Sequence, residues 1–156
     1  MSSLKDKVAI VTGSATGLGA SVAIMLAERG ARVVINYTKS EKEAKETTDL
    51  CLAKGAEAIM VQGDVGSDED CKKLAQAAID KWGRIDILVN NAGTTQFANH
   101  ADLDALNADD FLWIYKINVI GGYQMIRACA PAMKKAGKGS VVNVSSIAGV
   151  TGIGSS

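Results

Sequence analysis

A doubly wound α/β domain, one parallel sheet with helices on both faces, is the fold class that this sequence predicts. Three observations predict it. Short β-branched runs alternate with longer segments of helical spacing, a glycine-rich turn joins the first run to the first helix, and the apolar residues are nearly all aliphatic. Apolar residues make up 47% of the 156 and aromatics 4%, so Val, Ile, Leu and Ala must build the core. Runs that are apolar throughout suit parallel strands buried on both faces. A strand-helix-strand rhythm with right-handed crossovers covers both faces with helices. The length is enough for one domain with a sizeable core.

The elements follow in order. VAIVTG (8–13) is the first strand. Leu18, Val22, Met25 and Leu26 recur at helical spacing over 18–29, and Gly30 ends that helix. RVVINY (32–37) is the second strand. Ser40 and Glu43 have the S-x-x-E form of a capping box, opening a charged surface helix that ends near Gly55. AIMVQGDV (58–65) is the third strand, and the polar run from Ser67 to Asp70 repeats the capping pattern before a helix closed by Gly83. IDILVNNAG (85–93) is the fourth strand. A longer helix is expected from Asn107 past Arg127, disturbed by Gly121, Gly122 and Pro131, and SVVNVSS (140–146) is the fifth strand.

Composition excludes several classes. Seventeen basic residues balance seventeen acidic ones, which argues against an electrostatic nucleic-acid binder. The chain shows no apolar run long enough for a membrane span, and its first residues are too polar for a signal peptide. Cys51, Cys71 and Cys129 are scattered, without metal-ligand spacing, and read as reduced thiols of a cytoplasmic protein with no metal site.

The turn TGSATGLG (12–19) lies between a strand and a helix, with a second strand about twenty residues on, the context a dinucleotide-binding turn requires. Gly13 suits a tight turn, Gly17 lets a ligand approach the backbone, and Gly19 lets helix and strand pack. The N–H groups of the helix N-terminus then face a pyrophosphate. Thr12, Gly13, Ser14, Thr16, Gly17, Leu18 and Gly19 are therefore the first expected cofactor contacts.

The spacing T-G-x-x-x-G-x-G resembles the cofactor turn of the short-chain dehydrogenases/reductases. Further motifs follow in that family's order: Asp64-Val65, NNAG (90–93), Asn118 in the long helix, and NVSS (143–146). VVINYTKSEKEA (33–44) and GSVVNVSSIAG (139–149) are most similar to the branch containing the 3-oxoacyl-carrier-protein reductases. The resemblance covers essentially the whole chain and implies a Rossmann-type sheet with strands in the order 3-2-1-4-5, later strands lying beyond the sequence shown. It also implies that Asp64 accepts from the adenine amino group, that Val65 packs on the ring, and that Asn90, Ala92 and Gly93 line the riboses. An alternative for Asn90 and Asn91 is that their amides only tie neighbouring strand ends together.

In dinucleotide folds a carboxylate after the second strand accepts from the ribose 2′-OH of NAD and repels the 2′-phosphate of NADP. Asn36 occupies the place where that acid is expected, followed by Tyr37, Thr38, Lys39 and Ser40. Hydroxyls, a cation and backbone N–H groups suit a phosphate, so NADP is expected over NAD, and Asn36→Asp is expected to shift preference towards NADH. Thr16 weighs on the other side, because NADP-using relatives often place a basic residue there.

Reducing a carbonyl with a nicotinamide requires the protein to polarise the oxygen and supply a proton. Ser146, just past the fifth strand on the ligand-binding edge of the sheet, is the expected polariser, chosen over Ser145 on the resemblance. Asn118, an amide in an otherwise apolar helix, is the second catalytic candidate; the resemblance implies that it and a locally opened helix hold a water in a proton relay. The family's acid is the Tyr of a Y-x-x-x-K motif after the serine, and none follows within the 156 residues. The 156 residues are thus expected to form a C-terminally incomplete nucleotide-binding domain, inactive alone. Tyr123 to Arg127 spells Y-x-x-x-R but precedes the serine and reads as surface or packing.

The expected function is an NADP-dependent oxidoreductase interconverting a carbonyl and a secondary alcohol, with a 3-oxoacyl thioester as one candidate substrate. The alternative is an inactive short form that binds nucleotide or pairs with a full-length partner. The resemblance implies a homo-oligomer, dimer or tetramer, with the segment 111–123 as a candidate interface. Residues 94–104 are expected to wall the substrate side, with His100 solvated.

Overall fold

The computed structural model describes residues 3–99 and 101–151; His100 and residues 152–156 lie outside the described residues. Along the chain run β1 (Val8–Val11), α1 (Gly17–Glu28), β2 (Arg32–Tyr37), α2 (Glu41–Ala53), β3 (Ala58–Gln62), α3 (Asp68–Trp82), β4 (Ile87–Asn90), α4 (Ala108–Tyr115), a π-helical turn (Lys116–Ile120), α5 (Gly121–Lys135), β5 (Ser140–Asn143) and a single turn, α6 (Ala148–Thr151). The five strands pair in parallel in the order β3-β2-β1-β4-β5, with β1 in the centre.

Successive strand residues point to opposite faces, and both faces are buried. Val8, Ile10 and Val34 pack with Leu74 and Ala78 of α3 and Met125 and Cys129 of α5. Val11, Val33 and Ile35 pack with Ala23 and Ala27 of α1 and Ala44 and Cys51 of α2. Burial pushes the thiols of Cys51, Cys71 and Cys129 up to about 11, 12 and 12. At these values they are inert packing groups. Among the described residues no helix is long and apolar enough to cross a membrane. The four residues of β5 are exposed, with Val141 and Val142 open to solvent.

The elements depart from the sequence expectation in informative places. β1, β3, β4 and β5 each stop short of their apolar runs, and the residues released beyond β1, β3 and β4 become loops on the ligand-binding edge. Ser40 is the N-cap of α2 but makes no side-chain cap bond, whereas Ser67 Oγ accepts from the Asp70 N–H at 3.3 Å. The long helix is broken at Lys116–Ile120, before Gly121, and Pro131 sits inside α5 without ending it.

At the opposite edge Asp86 is buried and accepts from the Val8 N–H at 3.0 Å, from Arg84 through two bonds of 2.8 and 2.7 Å, and from Lys7 at 3.3 Å. Burial pushes its carboxyl up, but these donors outweigh it and hold the group below its ordinary value of 3.8. A depressed folded value means that its stabilisation is full above the unfolded value and fades as pH falls through the folded one. Asp86→Ala is expected to lower stability by about 1–3 kcal/mol, mainly because the Val8 N–H loses its acceptor. Urea midpoints near neutral pH check this; the gap between the two proteins should narrow in acid.

Candidate active site

Parallel strands send all their C-terminal ends to one edge, and the loops leaving it enclose two adjoining clefts. The first, about 490 Å³, runs between the glycine turn, the end of β2 and the loop after β3. In the turn Gly17 has φ of 59°, and a Cβ there would meet nothing within 4 Å, so the space above it is open to a ligand. Gly19 is the reverse case: its Cβ would lie 2.5 Å from both Asn91 Nδ2 and the Gly13 carbonyl oxygen. Thr16, the N-cap of α1, makes no side-chain cap bond. The first-turn N–H groups of α1 therefore have no cap side chain against them and suit an anion. The caps of α3 and α4 are closed by the side chains of Ser67 and Asn107. An anionic dinucleotide fits the residues present.

Gly13, Thr16, Tyr37, Thr38, Lys39, Ser40, Asp64, Val65, Ala92 and Gly93 all line this cleft. Gly17 and Leu18 are exposed beside it in the first turn of α1, and Gly19 is buried beneath. One oxygen of Asp64 accepts from the Gly66 N–H at 2.8 Å.

Four residues expected to touch the cofactor have their polar groups engaged by the protein. Thr12 Oγ1 accepts from the Asn91 and Ala92 N–H groups, each at 3.0 Å, and Thr12 is 1% exposed. Ser14 is fully buried, its hydroxyl donating to the Val11 carbonyl at 2.7 Å and accepting from the Asn36 N–H at 2.9 Å. Asn36, 2% exposed, accepts at Oδ1 from the Gly13 N–H and donates from Nδ2 to the Gly63 carbonyl, each at 2.9 Å. Its amide is thus engaged by the turn and by Gly63, while the residue still lines the cleft beside Tyr37, Thr38, Lys39 and Ser40. Asn90 donates to the Gly122 carbonyl at 3.3 Å and to Asn143 Oδ1 at 2.9 Å, tying β4 to α5 and β5, and lies away from the first cleft. Its Oδ1 is buried without a hydrogen-bond partner.

The second cleft, about 830 Å³, holds Ser145, Ser146 and Asn118 together with Phe97, Val119 and Val144. Ser146 Oγ accepts from the Ala148 N–H at 3.2 Å, which leaves its O–H free to donate outward. The Asn118 amide is occupied: Nδ2 donates to the Thr94 carbonyl at 2.9 Å and Oδ1 accepts from the Thr94 N–H at 2.7 Å. The side chain thus pins the loop after β4, with one N–H and one lone pair of the amide left over. In the π-helical turn the Gly121 N–H bonds the Lys116 carbonyl, five residues back, and α5 then resumes four-residue spacing. That change of register leaves one carbonyl among Ile117, Asn118 and Val119 without a helix N–H. Tyr123 faces neither role: the Arg127 guanidinium lies 5.6 Å from its ring centroid, and Arg127 pairs with Asp68.

Sequence reasoning missed Trp113 and Ile117, which line the first cleft; Thr94, expected on the substrate side, and Asn91, considered only as a tie between strand ends, line it as well. The four-residue spacing of Trp113 and Ile117, one place before Asn118, is the signal that could have found the first two.

A parallel sheet with a glycine turn, an uncapped helix N-terminus and a serine beyond the fifth strand on one edge belongs to the open α/β class, which binds ligands at that edge. The pattern of the short chain dehydrogenase family matches residues 7–156, and the chain belongs to that family. It is 44% identical over 149 residues to a Streptomyces violaceoruber protein that carries the name ketoacyl reductase 2 of the granaticin polyketide synthase, covering 96% of this chain and 58% of that one. It is 35% identical to the 3-oxoacyl-[acyl-carrier-protein] reductase of Synechocystis, over 97% of this chain and 60% of that one. A crystal structure named for a short-chain dehydrogenase/reductase of Burkholderia xenovorans superposes with a TM-score of 0.92 at 38% identity, covering 96% of this chain and 63% of that one. The chain thus spans about three-fifths of the length of these relatives.

Proposed function

We propose that the complete protein is an NADP-dependent oxidoreductase that interconverts a carbonyl and a secondary alcohol. One observation carries this reading: the Ser146 cleft and the dinucleotide cleft share Asn91, Ala92, Gly93 and Thr94 as a common wall. A substrate oxygen at Ser146 would therefore lie beside the nicotinamide end of a bound dinucleotide. The nicotinamide, when bound, supplies or accepts the hydride. Ser146 donates its O–H to the substrate oxygen and stabilises the charge that develops there. Asn118 holds the shared wall through Thr94, and the carbonyl released by the π-helical turn offers a place for a water that carries protons. The apolar Phe97, Val119 and Val144 suit an acyl chain, and the names of two relatives support a 3-oxoacyl thioester as substrate.

The choice of NADP is supported by the end of β2, where Tyr37, Thr38, Lys39 and Ser40 border the cleft without a carboxylate. The Ser40 hydroxyl makes no cap bond, so it and the N-terminus of α2 remain open to a phosphate. The complete protein is expected to bind NADPH roughly tenfold or more tightly than NADH, the effect of one or two good polar contacts. Fluorescence titration with both cofactors tests this, and equal or better affinity for NADH rejects it. The exposed Phe111, Leu112, Tyr115 and Tyr123 support a homo-oligomer formed through this helical segment.

A further inference from the structure

We propose that Asn36 is a positioning residue that sets cofactor affinity by holding the two walls of the first cleft in register, and that the position requires an amide. The inference rests on the reading of that cleft as a dinucleotide site. Asn36 is the last residue but one of β2, where the sheet opens into the cleft. Its Oδ1 accepts from the Gly13 N–H on the pyrophosphate side, and its Nδ2 donates to the Gly63 carbonyl on the adenine side, each at 2.9 Å. Its main chain adds two more ties to the turn, from the Asn36 N–H to Ser14 Oγ and from the Ser14 N–H to the Asn36 carbonyl, each also at 2.9 Å. Gly63 directly precedes Asp64 and Val65, so one side chain spaces the glycine turn against the adenine wall.

The chemistry of the two bonds is directional. One partner is a donor and the other an acceptor, and an amide supplies both complements at once. A carboxylate keeps the bond from Gly13 but meets the Gly63 carbonyl with a like partial charge, and the carbonyls of Val61 and Tyr37 lie 3.5 Å from the same nitrogen position. A neutral carboxylic acid can again both accept and donate. Asp at this place is therefore a clamp only when protonated, and burial among carbonyls favours that form. The titratable side chains that line the same cleft are Tyr37, Lys39 and Asp64, and the Asn36 amide bonds none of them.

Two variants of the complete protein, Asn36→Ala and Asn36→Asp, test this, with NADPH and NADH dissociation constants measured beside the unmodified protein from about pH 5.5 to 8.5. Asn36→Ala is expected to weaken both cofactors by the same factor, roughly 10- to 100-fold, the scale of one or two lost hydrogen bonds. Asn36→Asp should weaken both near pH 8 and regain affinity relative to the unmodified protein as pH falls. The ratio to the unmodified protein removes the titration of the cofactor's own phosphate. The pH series carries the test if the alanine variant does not fold. NADH bound more tightly by Asn36→Asp, or variants that bind as the unmodified protein does at every pH, overturn the inference alone. An unmodified protein that binds neither cofactor overturns the functional reading and this inference with it.

Discussion

Ser146→Ala in the complete protein is expected to lower kcat by roughly 10²–10³, the effect of losing one donor to a developing oxyanion. Its Oγ accepts from the Ala148 N–H, so the hydroxyl proton is not used in that bond and is free to donate into the cleft. Cofactor affinity should change little, because the serine borders the second cleft and not the first. Ser145→Ala should be much milder. Steady-state kinetics with a ketone substrate, together with NADPH titration, separate the two effects. The reverse order of the two serines would reassign the polarising hydroxyl.

Gly19→Ala is expected to cut NADPH affinity on the order of 100-fold and stability by about 1–3 kcal/mol, since overpacking here also displaces hydrogen bonds. The added Cβ would sit 2.5 Å from Asn91 Nδ2 and from the Gly13 carbonyl oxygen. Asn91 cannot retreat freely, for the same nitrogen donates to the Thr12 carbonyl at 3.0 Å and the Gly13 carbonyl at 3.1 Å. Whichever side yields, the turn that presents α1 to the cofactor shifts. Isothermal titration and thermal unfolding read the two effects; a variant that binds NADPH normally would mean that the turn absorbs the methyl group elsewhere.

The paired layers of helices were legible because the strands have aliphatic centres and the crossovers helical spacing, whereas the strand order came from the family resemblance. The contacts of the Asn36 amide were not legible, for a reason of period. Asn36 follows Ile35 and precedes Tyr37 in β2, and sequence position alone places an amide at a strand end without saying which way it points. It points at Gly13, a contact 23 residues away that no local pattern encodes. Asn118 was legible as an oddity in an apolar helix, but its partner Thr94 lies 24 residues back in an irregular loop. The π-helical turn was legible only through the resemblance, as a locally opened helix at Asn118, because an inserted residue in a helix leaves no composition signal. Ser40 carried the capping signature without the capping bond, which is intelligible if its hydroxyl is kept for a ligand.

The glycine turn is held by two clamps that differ greatly in reach along the chain. Asn36 bonds Gly13 across 23 residues, whereas the Asn91 N–H reaches Thr12 Oγ1 across 79. During synthesis the first clamp is available early, and the second must wait for β4 to emerge. At ribosomal rates of about 5–20 residues per second, the stretch from Asn36 to Asn91 takes roughly 3–11 s. Through that interval β1 is a central strand with a neighbour on one side alone, and the turn above it is half-braced. The nascent chain therefore passes through a window in which its most aliphatic strand is laid bare and its nucleotide site is not yet built. Escape from aggregation there depends on how fast β4 is delivered rather than on how stable the finished sheet is.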